Sequence, residues 1–201
     1  YDSSQPLLVY TDLKVVDQEL QVVHESMIRT QSEHANTELV QELTENTVTG
    51  GVSMINRALA QLWTGKEEHE LLMHDWYLGL LAAAFGNLVY IDKPGELYRQ
   101  HSNNVLGART FRKRIKNWVR PHVLFAKYWK LIKDSQTQAR NLLVLPLTAE
   151  NRELIENFVT IMEVPFKERW CRIHQYGYRK NRTFHTLVFT SLILTKFAYK
   201  E

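Results

Sequence analysis

The chain has 201 residues, 44% of them hydrophobic and 23% charged, a composition that fits one globular domain or one and a half. Its single cysteine, Cys171, excludes an intrachain disulfide and a cysteine-based metal cluster, and fits a reducing compartment. The net charge of +3 hides an asymmetry: residues 1–108 hold 6 Lys/Arg against 15 Asp/Glu, and residues 109–201 hold 19 against 7. An acidic front and a basic back predict two tasks, with the basic part facing a polyanion, either nucleic acid or an anionic membrane.

The opening YDSSQPLLVY carries no secretory leader pattern and enters an apolar run almost at once, so we expect a further portion upstream of Tyr1. Leu7–Thr11 reads as a buried strand, which Leu13–Asp17 either continues or turns into a hairpin. Residues 18–50 are polar and mixed, and predict an irregular or partly helical segment that crosses the surface of a site. Thr47–Gly51 is a glycine turn leading into a helix over Ser53–Trp63. Ser53 is the expected N-cap there, with Met54, Ile55, Ala58, Leu59, Leu62 and Trp63 as one apolar stripe. Gly65 can end that helix, and Lys66–Glu70 follows as a charged loop.

Leu71–Asn104 is the stretch around which the rest is organised. Asp75 sits at the entrance to a helix whose apolar face is Tyr77, Leu80, Leu81, Ala84 and Phe85. Gly86-Asn87 is the expected stop, since both residues tolerate left-handed backbone angles. Leu88–Asp92 then predicts a strand, Pro94-Gly95 a turn, and Glu96–Gln100 a second strand, leaving His101 just past a strand end. Beyond Gly107 aromatics alternate with Lys/Arg at helical spacing, from Phe111 to Trp118 and Val119. Pro121 starts a new helix carrying Phe125, Trp129 and Ile132, Thr148 caps another, and Pro165 starts a third. The run from Thr183 to Tyr199 is the most apolar, at the short limit for a membrane span, so a buried or membrane-surface helix is expected.

Asp75 is the sharpest candidate for chemistry. A carboxylate at a helix N-terminus is held as the anion by backbone N–H groups and can deprotonate a hydroxyl, although an Asp in that place is commonly a plain cap. His101 offers an imidazole nitrogen to a divalent cation, and Gly50-Gly51 lets a ligand approach the backbone closely. The other histidines form no HxxxH pair, and there is no P-loop, GxGxxG or GxSxG. The basic aromatic helices over 109–133 suit a membrane surface or their own core better than nucleic acid, because the apolar side carries Trp118 and Trp129.

Four pieces together resemble the C-terminal half of a family 2 glycosyltransferase of the GT-A fold, in its bacterial rhamnosyltransferase-like branch. They are LVYTDLKVVD (8–17), NTVTGGVSMINRAL (46–59), HDWYLGLLAAAFGNLVYIDKPGELYRQHSNN (74–104) and the basic helical tail. The resemblance implies an α/β fold, with residues 1–108 as the acceptor-side half of the catalytic domain and 109–201 as a basic amphipathic helical extension. It places Asp75 on the catalytic base, in the short motif His74-Asp75-Trp76, and His101 on a metal or diphosphate contact. Gly50 and Gly51 fall on the pocket loop, with Trp76 as an acceptor wall and Arg99 as a diphosphate contact. The DxD motif that grips the cation and the nucleotide-sugar is absent, so the chain as given is expected to be inactive alone. The implied donor is a nucleotide-sugar, dTDP-rhamnose first, with Mg²⁺ or Mn²⁺. The implied acceptor is a lipid-linked saccharide of a cell-surface polysaccharide, at the inner face of the bacterial cell membrane. A non-enzymatic membrane- or RNA-docking module is the alternative that the tail supports equally well.

Overall fold

The computed structural model describes residues 2–64, 71–100 and 121–199. Gly65, the charged loop at 66–70, His101 and the basic helix expected over 109–120 lie outside them. The fold is mixed α/β. A four-stranded sheet comprises β1 (Leu7–Val16), β2 (Val22–His24), β3 (Ser53–Ile55) and β4 (Asn87–Arg99). Eight α-helices lie among the described residues. They are α1 (Met27–Gln31), α2 (Leu39–Thr44), α3 (Arg57–Thr64), α4 (His74–Phe85), α5 (Pro121–Arg140), α6 (Ala149–Val159), α7 (Phe166–Tyr176) and α8 (Thr183–Thr195).

β1 organises the sheet. β4 runs parallel along one of its edges, from Leu7 opposite Asn87 to Val16 opposite Arg99. A strand has only two edges, so β2 and β3 share the other. β3 pairs antiparallel at Leu8–Tyr10, and β2 pairs antiparallel at Val15 and Val16. The stretch Leu13–Asp17 therefore both continues the first strand and turns back into a hairpin.

Three expectations need correction. Ser53, Met54 and Ile55 are not the start of a helix but strand β3, held by pairing with β1. Met54 is 76% exposed rather than part of a buried stripe. The cap belongs to Asn56, whose Oδ1 accepts the N–H of Leu59 at 3.0 Å, and α3 starts after it. The second correction concerns residues 88–100, where one strand, Asn87–Arg99, stands in place of two around a turn. Thr11, Asp12 and Leu13 face Ile91, Pro94 and Glu96, so Asp92, Lys93 and Gly95 bulge out of register. Proline has no N–H to give a ladder and is tolerated at such a bulge. A Cβ on Gly95 would stand 2.3 Å from Thr11 Oγ1, which is why glycine fits there. Third, Gly86 ends α4 without a left-handed angle (φ −168°). Its requirement is steric, since a Cβ there would meet the Pro6 carbonyl oxygen at 1.9 Å. That carbonyl accepts the Asn87 N–H at 2.9 Å as β4 begins.

α4 is the centre of the core. It buries Trp76 to Ala82 and Ala84, more than one face, because α2, α3, α5, β1 and β4 surround it. Small residues permit that crowding. Gly79 lies so close to α2 that a Cβ would be 3.0 Å from Val48 and 3.2 Å from Glu42 Oε2. The later helices belong to the same core: Trp129, Ile132, Ile155, Phe158, Phe189 and Ile193 join Leu8, Tyr10 and Leu80 in one buried cluster. α5 starts at Pro121 and α6 is capped by Thr148, whose Oγ1 accepts the Asn151 N–H, as the sequence leads one to expect. No described helix is long and apolar enough to cross a membrane.

Candidate functional site

The site grows from two braced segments. The first is the loop from Asn46 to Val52. Thr47 is buried, its hydroxyl within hydrogen-bond distance of the Tyr10 hydroxyl (2.8 Å) and accepting the Asn36 N–H (2.9 Å). The Glu42 carboxylate accepts from both the backbone N–H and the hydroxyl of Thr47, each at 3.2 Å. Gly50–Val52 then forms a single 3-10 turn, closed by Ser53 Oγ donating to the Gly50 carbonyl at 3.1 Å. One end of the glycine loop is thus tied to α2 and the other to the sheet.

The second segment is the start of α4. Met73, not Asp75, takes the N-cap position, and Asp75 lies in the first turn. Gln138 on α5 fixes this entrance. Its Nε2 donates to the Met73 carbonyl (2.8 Å) and its Oε1 accepts the Leu72 N–H (3.3 Å). From the other side, Trp76 Nε1 donates to the Glu42 carbonyl at 2.8 Å.

Where the segments meet, half-buried Asp75 accepts the Trp76 N–H on Oδ1 (2.7 Å) and the Gly50 N–H on Oδ2 (3.4 Å). His74 is exposed beside it, its Nε2 2.9 Å from where a Gly50 Cβ would stand. Glu96 of β4 closes the third side, its Oε2 3.4 Å from a Cβ placed on Gly51. A partly open carboxylate, an imidazole and a second carboxylate therefore border a loop without side chains. This arrangement can accept a proton from a hydroxyl that reaches Asp75.

Of the residues singled out from sequence, Asp75, Gly50 and Gly51 come together here. Trp76 is 6% exposed and lies beneath the site, where it ties α4 to α2 rather than forming an open wall. Arg99 is exposed at the end of β4, opposite Val16. His101 lies outside the described residues. Among those residues no group of three or more His, Cys, Asp or Glu side chains is placed to hold a metal ion. The donor set for the divalent cation that the resemblance implies is therefore not met by them.

Sequence reasoning missed Glu42. It is 0% exposed, Oε1 is satisfied by Thr47, and Oε2 is buried without a hydrogen-bond partner. Burial, above all, pushes its carboxyl up to about 8, against the hydrogen bonds from Thr47, and the charge of Asp75 pushes the same way. No local signal marked it, because the close approach that buries it is made by Gly79 on a distant helix.

Asp12, between the apolar runs Leu7–Thr11 and Leu13–Asp17, was given no role by the sequence. It is buried, and its Oδ1 accepts the N–H groups of Leu13 (2.7 Å), Met27 (3.1 Å) and Ile28 (3.1 Å), while Ser26 Oγ donates to Oδ2. It pins α1 to the bulge in the sheet.

No protein-family model, curated protein or solved structure matches this chain.

Proposed function

We propose that the chain is the acceptor-side part of an inverting glycosyltransferase, in which Asp75 is the base. The observation that carries this reading is the contact of the Asp75 carboxylate with the Gly50 N–H, at the meeting of a helix start and a glycine loop. A hydroxyl entering over Gly50-Gly51 comes between His74, Glu96 and Asp75, none of which belongs to the loop. Asp75 takes the hydroxyl proton, the freed oxygen pair bonds to the anomeric carbon, and the carbon–oxygen bond to the nucleoside diphosphate breaks with its electrons. A divalent cation, Mg²⁺ or Mn²⁺, would offset charge on the departing diphosphate. The donor we propose is dTDP-rhamnose and the acceptor a lipid-linked saccharide. The basic half would dock peripherally on the anionic inner face of a bacterial membrane, each Lys/Arg near the surface adding about 1 kcal/mol.

The test compares the natural full-length protein with its Asp75→Asn variant. Nucleotide release is assayed from a panel of donors with Mn²⁺ or Mg²⁺ and a membrane extract as acceptor source. Removing a general base costs about a hundredfold or more in turnover, while the unfolding midpoint should stay within a few degrees. Equal turnover in the two proteins would remove Asp75 from the role. No release with any donor, from a folded protein, would favour a docking module for membrane or RNA.

A further inference from the structure

The loop between α7 and α8 reads Tyr178-Arg-Lys-Asn-Arg-Thr183, three cations in six residues with no acid. It borders a cleft of about 410 Å³ lined by Arg179, Lys180, Asn181, Thr183 and Thr186, together with His34. The cleft is built rather than incidental. Asn181 Nδ2 donates to the His34 carbonyl at 2.9 Å, and Thr186 Oγ1 donates to the Lys180 carbonyl at 2.7 Å.

Its donors outnumber their partners. Lys180 is half-buried in the wall with one hydrogen bond, from its ammonium to the Thr44 carbonyl, although an ammonium has three N–H groups to give. The carboxylate acting on it is Glu45, whose Oε2 accepts the Asn181 N–H at 3.2 Å. The ammonium also lies 5.7 Å from the centre of the Phe189 ring, and burial, opposed by the charge of Glu45, holds Lys180 down to about 8. Arg179 is exposed, and its guanidinium has no hydrogen-bond or ion-pair partner among the described residues. α8, which begins at Thr183 in the same wall, has no side-chain cap and no acid in its first turn. The dipole at that end is therefore not offset by the chain itself.

We propose that this cleft is a binding site for a phosphate group, gripped by Arg179 and Lys180 and seated toward the start of α8. A planar guanidinium fork, a compact ammonium and backbone N–H groups are complementary to the oxygens of a phosphate ester or diphosphate. The volume leaves room for the moiety that carries it. The site stands apart from Asp75 and does not depend on the sugar-transfer reading.

The experiment titrates the ¹⁵N-labelled chain with inorganic pyrophosphate at fixed ionic strength. Amide shifts should be confined to 179–187 and the neighbourhood of His34, and the Lys180 ammonium midpoint should move up. Arg179→Glu changes an exposed side chain with no partner among the described residues, so its fold should hold, and binding should weaken about tenfold or more. Lys180→Met should weaken it similarly. Shifts scattered over exposed Lys and Arg elsewhere, or unchanged affinity in folded Arg179→Glu, would overturn the site. Flotation with phosphatidylcholine vesicles, with and without phosphatidic acid, separates the sources. Binding that needs phosphatidic acid, is lost in Arg179→Glu and is competed by pyrophosphate identifies a lipid headgroup. Pyrophosphate binding without vesicle preference identifies a soluble phosphate ester. No binding of either probe would overturn the proposal.

Discussion

Asp12 and Glu42 are both buried carboxylates, and they do opposite work. Asp12 is fully used, with three backbone N–H groups, a hydroxyl and the more distant Tyr90 hydroxyl at 3.5 Å. Asp12→Ala leaves those donors unsatisfied and should cost about 3 kcal/mol, read as a drop in the denaturation midpoint by urea. Glu42 is half used, and its proton makes burial tolerable. The folded group titrates at about 8 and the free side chain at 4.5. Between those values the folded state binds the extra proton, so stability falls as pH rises through that interval. Glu42→Gln, which copies the neutral form, should remove this slope, so that it outlasts the parent protein by more at pH 8 than at pH 5. Parallel stability curves for the two proteins would show that Glu42 does not titrate there. The place of Asp75 at a helix start was legible because it is local in sequence. Glu42 was not, because a glutamate in VQELTEN reads as solvated until Gly79 and Thr47 close over it.

The elements divide in the same way. α4, α5 and α6 were readable from period, proline and cap, which are properties of a few neighbouring residues. β3 was misread because Ser53–Ile55 carries an apolar pattern that suits the first turn of a helix as well as a strand. Only β1, more than forty residues earlier, decides between them. The Pro94-Gly95 pair was misread for a related reason. Such a dipeptide is a turn signal in isolation, but parallel pairing on both sides of it holds the chain straight through a bulge. Gly86 is the junction that this geometry depends on, because α4 must stop against the Pro6 carbonyl for β4 to start in register with Leu7. Gly86→Ala should therefore destabilise by about 2–4 kcal/mol, a backbone collision that no side-chain rotation relieves, measurable by calorimetry as a lower unfolding temperature. A midpoint equal to the parent's would mean that the junction yields easily.

Across the whole molecule, the front and the helical back are tied by hydrogen bonds as well as by the common core. Thr44 Oγ1 donates to the Arg179 carbonyl (2.6 Å), Asn151 Nδ2 donates to the Ala84 carbonyl (2.8 Å), and Gln138 holds the start of α4. Lys180 adds a second pH-sensitive contribution. Its ordinary value is 10.5 and the folded value about 8, so the unfolded chain binds more protons in that interval and stability rises with pH through it. Together with Glu42 this predicts a stability minimum near pH 8, checked by melting temperatures across pH 5 to 10. A monotonic profile would show that one of the two groups titrates elsewhere. The basic character of the second half was plain in the sequence, but no run of residues announced the cleft, whose walls come from positions 34 and 179–187. The parallel pairing of β1 with β4 has a further consequence, in the order of assembly. Partners such as Leu7 and Asn87 lie 80 positions apart, whereas β2 and β3 follow β1 more closely and occupy its other edge. During synthesis one edge of β1 is covered early while the other stays open until β4 emerges, a slow closure of high contact order. An uncovered edge carrying Leu7, Leu8, Val9 and Tyr10 is a template for another chain, so products ending before residue 87 should aggregate where the whole chain does not.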